Sequence, residues 1–258
     1  MINYYKIILN IIYHIDNILQ RYQMSLFRRR SFSLSQLDIK LEKYLDFKNG
    51  FFIEVGANDG ISQSNTLYYE RSAGWKGLLI EAIPDLAEKC RKNRPKCIVE
   101  NCALVGFDYP YDTIEMNYCN LMSCTQGAFD EDEEMLNHIE KGKQFLSATE
   151  TPYKIQVPAR TLSAVLDSHT INHIDLLSLD VEGFEVEVLK GIDLNRHSPK
   201  YLLIEVRHNV KDAIEAIIGG KYVSLDILST NESYSDILYC LRDSFNIANS
   251  KHRYINTR

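Results

Sequence analysis

The chain has 258 residues, 45% of them hydrophobic, enough to bury one sizeable core with appendages around it. Its net charge of −6 is spread along the sequence, which excludes the basic footprint that a nucleic-acid backbone requires, so no nucleic acid is expected as a partner. Six cysteines form no CxxC pair and sit mostly in apolar settings. They read as the reduced thiols of a cytoplasmic protein.

At the N-terminus Ile8, Ile11, Ile12, Ile15, Ile18, Leu19 and Tyr22 recur at three- and four-residue steps and make one apolar stripe on a helix. Asn10, His14, Asp16, Asn17 and Gln20 interrupt it before the ~20 apolar residues of a membrane span accumulate. No small-residue cleavage site follows. The stripe suits a helix packed on its own domain or on a second copy of the chain. The alternative is peripheral membrane contact, aided by Arg28 to Arg30. A second helix is expected from Ser35, as its cap, through Leu37, Ile39, Leu41 and Leu45 to Phe47. Residues 1–48 therefore read as a helical extension before a domain at 49–258.

Phe51 to Val55 is a short apolar strand ending in Gly56-Ala57-Asn58-Asp59-Gly60, with a helix start expected at Ser62 to Thr66. Gly77 to Ala82 reads as a second strand, Leu86 to Asn93 as a helix opened by Pro84, and Cys97 to Asn101 as a third strand. Regularity weakens from Val105 to Pro158, an insertion suited to shaping a substrate site. There Cys119 and Cys124 flank a loop that could bridge or bind metal, without a histidine pair at ligand spacing. Alternation resumes with a helix at Thr161 to Asp167, a strand at Ile174 to Leu179, a helix at Gly183 to Lys190 and a strand at Tyr201 to Val206. A helix near Lys211 to Ile218 and two further strands complete the chain. Repeated strand–helix units with near-continuous apolar strands predict a mainly parallel sheet covered on both faces, which binds ligands beyond its carboxyl ends.

The turn Glu54-Val55-Gly56-Ala57-Asn58-Asp59-Gly60 lacks the G-x-G-x-x-G of a pyrophosphate site, which disfavours a nicotinamide-dependent oxidoreductase. Its acids would repel a pyrophosphate and suit a cationic ligand. Glu81 stands 21 residues beyond Gly60, where a carboxylate can accept both hydroxyls of a ribose. A glycine turn plus a ribose acid with no phosphate site points to S-adenosylmethionine.

Three stretches resemble the FkbM-type family of S-adenosylmethionine-dependent methyltransferases: Gly50 to Asp85, Pro158 to Leu166, and Ile174 to Val206, which contains Asp180-Val181-Glu182-Gly183-Phe184-Glu185. The resemblance implies a Rossmann-like class I methyltransferase fold with a seven-stranded sheet, and O-methylation of sugars or other hydroxyl-bearing compounds. Residue by residue, it implies that Glu54, Gly56, Ala57, Asn58, Asp59 and Gly60 hold the methionine portion of the cofactor. Glu81 would hold the ribose, and Asn101, Cys102 and Ala103 would border the adenine. Ser64, Asn65 and Thr66 match an S-N-T element close to the same cofactor.

Transfer to a weakly acidic hydroxyl benefits from a base or a metal near the acceptor. Asp180 ends the fourth strand, facing the reactive end of the cofactor, and Glu182 lies in the turn after it. Glu205 and His208 end the next strand, and the unperturbed pKa of histidine suits base catalysis. The same four residues could gather a divalent ion, which the acids do not need for their explanation. Glu185 reads as a helix-start acid, and Tyr109, Tyr111, Tyr118 and Phe129 as candidates for a sugar platform. A catalytically silent scaffold of a glycan-assembly complex is the alternative from another class.

Overall fold

A computed structural model describes residues 31–125, 127–128, 132–148 and 150–243. The apolar stripe of residues 8–22 and the basic Arg28 to Arg30 lie outside them. Among the described residues no helix is long and apolar enough to cross a membrane.

The main sheet has seven strands. In chain order these are β1 (Phe51–Val55), β2 (Lys76–Ile80), β3 (Ile98–Glu100), β8 (Leu176–Leu179), β9 (Tyr201–Arg207), β10 (Tyr222–Thr230) and β11 (Tyr234–Leu241), arranged β10-β11-β9-β8-β1-β2-β3. The five from β9 to β3 run parallel, while β11 is antiparallel to both of its neighbours. The sheet is therefore mixed at one edge, and the expected parallel core is present. From β1 the chain builds outward to β3, then returns to build β8 and β9 on the other side. The gap between β1 and β8 is the switch point where such sheets bind ligands.

Strand alternation divides the core between the two faces. Ile53, Leu78, Leu177 and Leu202 meet Val165 of α5 (Leu162–Ser168), Leu189 of α6 (Glu185–Lys190) and Ile214 of α7 (Lys211–Ile218). Phe52, Leu79, Leu176 and Leu203 meet Leu41 of α1 (Leu37–Leu41), Tyr69 of α2 (Leu67–Ala73) and Cys90 of α3 (Pro84–Asn93) on the opposite face. Trp75, 2% exposed, packs in this second layer and donates from Nε1 to Phe47 O at 2.9 Å.

Two expected helices differ. The first is only one turn long and is preceded by Gln36, which makes no side-chain cap, while Ser33 Oγ accepts from Asp38 N at 2.9 Å. Ser35 instead takes a left-handed φ of 51° and caps nothing. Ser62 to Thr66 is loop, because Asp59 Oδ1 captures the amides of Ile61 and Ser62, and Glu54 that of Asn65. α2 starts only at Leu67.

The insertion is more regular than its sequence suggests. β4 (Ala103–Leu104), β5 (Thr113–Tyr118), β6 (Cys124–Thr125) and β7 (Tyr153–Arg160) form a second sheet in the order β4-β7-β5-β6, followed across its open side by α4 (Asp132–Gly142). Ile114, Met116 and Val157 bury one face against Ile83 and Leu86 after β2 and Phe184 after β8. The second sheet thus sits over the strand ends.

Candidate active site

A cavity of about 940 Å³ opens between the carboxyl ends of the main sheet and this second layer. Its floor begins at the glycine turn. Gly56 has φ +81°, and a Cβ there would overlap the carbonyl oxygen of Asp180, so the β1 and β8 ends approach at a distance only glycine permits. Asn58 and Gly60 also have left-handed φ, 49° and 78°.

Glu81, 7% exposed, accepts from Asn58 N and Ile83 N, both at 2.8 Å, through different oxygens. Burial pushes its pKa up to about 7 despite these bonds. Cys102 and Ala103 line the same wall. Asn101 lies behind it, its Nδ2 donating to Glu81 O and Ala82 O at 2.8 Å, so it holds the strand ends and does not line the cavity.

The expected glycine-loop set divides in the same way. Gly56, Ala57, Asn58 and Asn65 line the cavity, and Asn65 Nδ2 donates to Ser178 Oγ at 3.0 Å. Glu54 reaches the wall, but its oxygens already accept from Ser64 Oγ (2.8 Å), Asn65 N (2.7 Å) and Thr66 Oγ1 (2.6 Å). Asp59 turns away to cap its own loop, and Gly60 packs against Cys90 and Arg94. These two and Asn101 do not line this cavity.

At the ends of β8 and β9 the acids gather as the sequence suggests. Asp180, Glu182, Glu205 and His208 all line the cavity. Burial raises the pKa of each of the three carboxyls, and nearby acids raise them further: Glu185 and Asp236 act on Asp180, and Asp180 acts on Glu182 and Glu205. Glu182 adopts φ +55° and lies 3.8 Å from Arg207 Nη2 and 3.6 Å from His138 Nε2. Gly183 leaves room for that guanidinium, since a Cβ would stand 2.5 Å from Arg207 Nη1. Burial and the Arg207 charge lower His138 to about 4, so it is neutral near pH 7. His208 is exposed, with Nε2 3.3 Å from Ser235 Oγ. Glu185 Oε1 accepts from Val181 N (3.0 Å) and Gly183 N (3.1 Å), which stitches the turn ahead of α6.

Among the described residues no three His, Cys, Asp or Glu side chains form a group able to hold a metal ion. Cys119 and Cys124 are free thiols.

The insertion contributes residues that the sequence did not single out. Glu134, Asn137, His138 and Lys141 of α4, spaced as one helical face, line the cavity. Asn120 joins the two halves, accepting from Asn58 Nδ2 at 3.3 Å and donating from Nδ2 to Phe145 O at 3.1 Å. Tyr109 and Tyr111 stack edge-on, Tyr118 bonds Glu150 and stacks on Tyr153, and none of the three lines the cavity. Phe129 lies outside the described residues.

The residues present suit S-adenosylmethionine. A carboxylate stands beside the glycine turn, and the buried Asn65 Oδ1, on the cavity wall, has no hydrogen-bond partner. No curated protein matches the chain. Similar solved structures include a TehB-like SAM-dependent methyltransferase from Corynebacterium glutamicum, with 9% identity, TM-score 0.41, and coverage of 89% of this chain and 98% of that one. TrmK of M. capricolum in complex with S-adenosyl-homocysteine has 11% identity and TM-score 0.41, covering 81% of this chain and 69% of that one. Precorrin-6y C5,15-methyltransferase from Geobacter metallireducens has 9% identity and TM-score 0.41, with 83% and 92% covered. The Methyltransferase FkbM domain matches residues 54–243, from the glutamate before the glycine turn to the end of the described sheet, and the chain belongs to that family of S-adenosylmethionine-dependent methyltransferases.

Proposed function

We propose that the chain methylates a hydroxyl oxygen, on a sugar of a glycan or glycan precursor. The observation that carries this reading is the second wall of the cavity. There the polar face of α4 (Glu134, Asn137, His138, Lys141) stands with the apolar rings of Phe145 and Phe184. Closely spaced donors and acceptors beside flat apolar surface match the needs of a polyhydroxylated ring.

S-adenosylmethionine, when bound, supplies a methyl group on a cationic sulfur. Gly56, Ala57 and Asn58 would hold its methionine portion, Glu81 its ribose, and Cys102 with Ala103 its adenine. His208, reachable from the cavity and steadied by Ser235, is the group to receive the proton released from the acceptor hydroxyl. Glu205 and Asp180 line the cavity beside it and shape the acceptor end of the site. Glu182, held near Arg207 and His138, fixes the turn on which the acceptor rests. The six free thiols support a reducing, cytoplasmic setting.

The test incubates the protein with S-adenosylmethionine and a panel of glycans and simple polyols, and locates the methyl group by mass spectrometry. A methyl on a sugar oxygen supports the reading. Transfer only to nitrogen or carbon acceptors refutes it, and failure to bind S-adenosylhomocysteine in calorimetry would favour the scaffold reading.

A further inference from the structure

We propose that Cys90, Asn93 and Arg94 are positioning residues for the cofactor loop: from the last turn of α3 they hold three consecutive loop carbonyls and set the face presented to S-adenosylmethionine. The inference rests on the cofactor assignment above and concerns residues that do not line the cavity.

Spacing is the first argument. Cys90 and Asn93 stand one turn apart on α3, and Arg94 follows directly as its C-cap. Each donates to a successive carbonyl of the turn: Cys90 Sγ to Asn58 O at 2.9 Å, Asn93 Nδ2 to Asp59 O at 2.8 Å, and Arg94 Nη1 to Gly60 O at 3.0 Å. Meanwhile the Asn58 amide donates to Glu81 at 2.8 Å. The turn is thus gripped by α3 on its carbonyl side and by the ribose acid on its amide side.

Backbone conformation is the second. Asn58 holds φ 49°, a left-handed conformation that asparagine tolerates better than most residues and that these bonds hold in place. Arg94 is the third. Its guanidinium is fully buried, and also donates to Ser64 Oγ and Thr66 Oγ1 at 3.2 Å, pairs with Glu70, and stands 3.7 Å from Glu54. A buried charge is costly unless such partners surround it. One guanidinium therefore fixes both segments that face the cofactor, the glycine turn and the Ser64-Asn65-Thr66 element.

If the stripe positions the loop, weakening it lets the free protein sample loop conformations that do not bind. The apparent Kd then rises by the reciprocal of the competent fraction. Loss of one hydrogen bond worth about 1 kcal/mol raises the apparent Kd by up to roughly fivefold, the full factor applying where non-binding conformations dominate.

Asn93 is only half-buried, so Asn93→Ala tests the idea without threatening the fold. Calorimetry with S-adenosylhomocysteine should show binding weakened by up to about fivefold with a melting temperature close to wild type. Hydrogen exchange across residues 55–63 should speed up in the ligand-free variant and return to the wild-type rate at saturation. Arg94→Lys keeps the charge but cannot span the same acceptors, and should weaken binding more than Asn93→Ala. Unchanged affinity with unchanged loop exchange would overturn the proposal, as would a lowered melting temperature with full affinity. Loop exchange without ligand reads the positioning directly, so a wild-type chain that fails to bind would sink the cofactor assignment and leave this readout standing.

Discussion

Replacing Glu81 by glutamine separates two consequences of burying a carboxylate at the end of β2. Burial lifts this carboxyl from its ordinary 4.5 to about 7. Between those pH values the folded chain keeps a proton that the unfolded chain has lost, so stability falls as pH rises through this window and levels off above it. The drop amounts to about 3 kcal/mol. Glutamine cannot ionise and removes this dependence. Its amide nitrogen, however, would face either Asn58 N–H or Ile83 N–H, a donor against a donor, at a pH-independent cost of about 1–3 kcal/mol. The variant should therefore be less stable than wild type near pH 4.5, and the gap should close or reverse by pH 8. Urea unfolding of both proteins across that range measures the difference directly, and other buried acids cancel in the comparison. The same change should weaken S-adenosylhomocysteine binding about ten- to a hundredfold, since hydrogen bonds to a charged acceptor are worth about 1.5–3 kcal/mol. A stability gap that stays constant from pH 4.5 to 8 would refute the burial argument, and undiminished affinity would remove Glu81 from the ribose site.

Further consequences can be checked one residue at a time. Gly56→Ala combines a left-handed backbone with overlap of the Asp180 carbonyl, and should cost about 3 kcal/mol or more and abolish cofactor binding; calorimetry and denaturant melts would show it. Thr161 caps α5 by accepting from Ala164 N at 3.2 Å, so Thr161→Ala should lower stability by about 1 kcal/mol without altering cofactor affinity. His208→Ala should reduce turnover far more than the affinity for S-adenosylhomocysteine, and unchanged turnover would leave His208 a loop histidine.

Much of the main sheet is legible because its strands carry strong local signals. Phe51 to Val55 and Leu176 to Leu179 are apolar runs closed by glycine or acid, and Pro84 marks the start of α3. Strand-end placement then brings Gly56, Glu81, Asp180, Glu205 and His208 to one cavity. The second sheet leaves no such mark. β5 and β7 mix polar and apolar residues and pair across roughly forty positions, a long-range choice that no local pattern encodes. Side-chain direction within a turn is equally hidden. Asp59 and Asn58 are neighbours, yet one caps the loop and the other faces the cavity, because alternate left-handed residues reverse the chain between them. For α4 the polar face that lines the cavity and the polar face in water are the same in composition, so only the fold distinguishes Asn137 from an ordinary surface residue.

The second sheet has its own hydrogen-bond ladder and meets the main sheet through loops and the Ile83–Phe184 apolar contact, with no strand shared between the two. That arrangement makes the stretch from Val105 to Pro158 an exchangeable cassette. Grafting the corresponding stretch from a relative would redraw the acceptor wall and replace the Asn58–Asn120 bond, while Glu81 and the last turn of α3 kept their own contacts. Donor recognition and acceptor choice are thereby free to evolve at different rates within one chain.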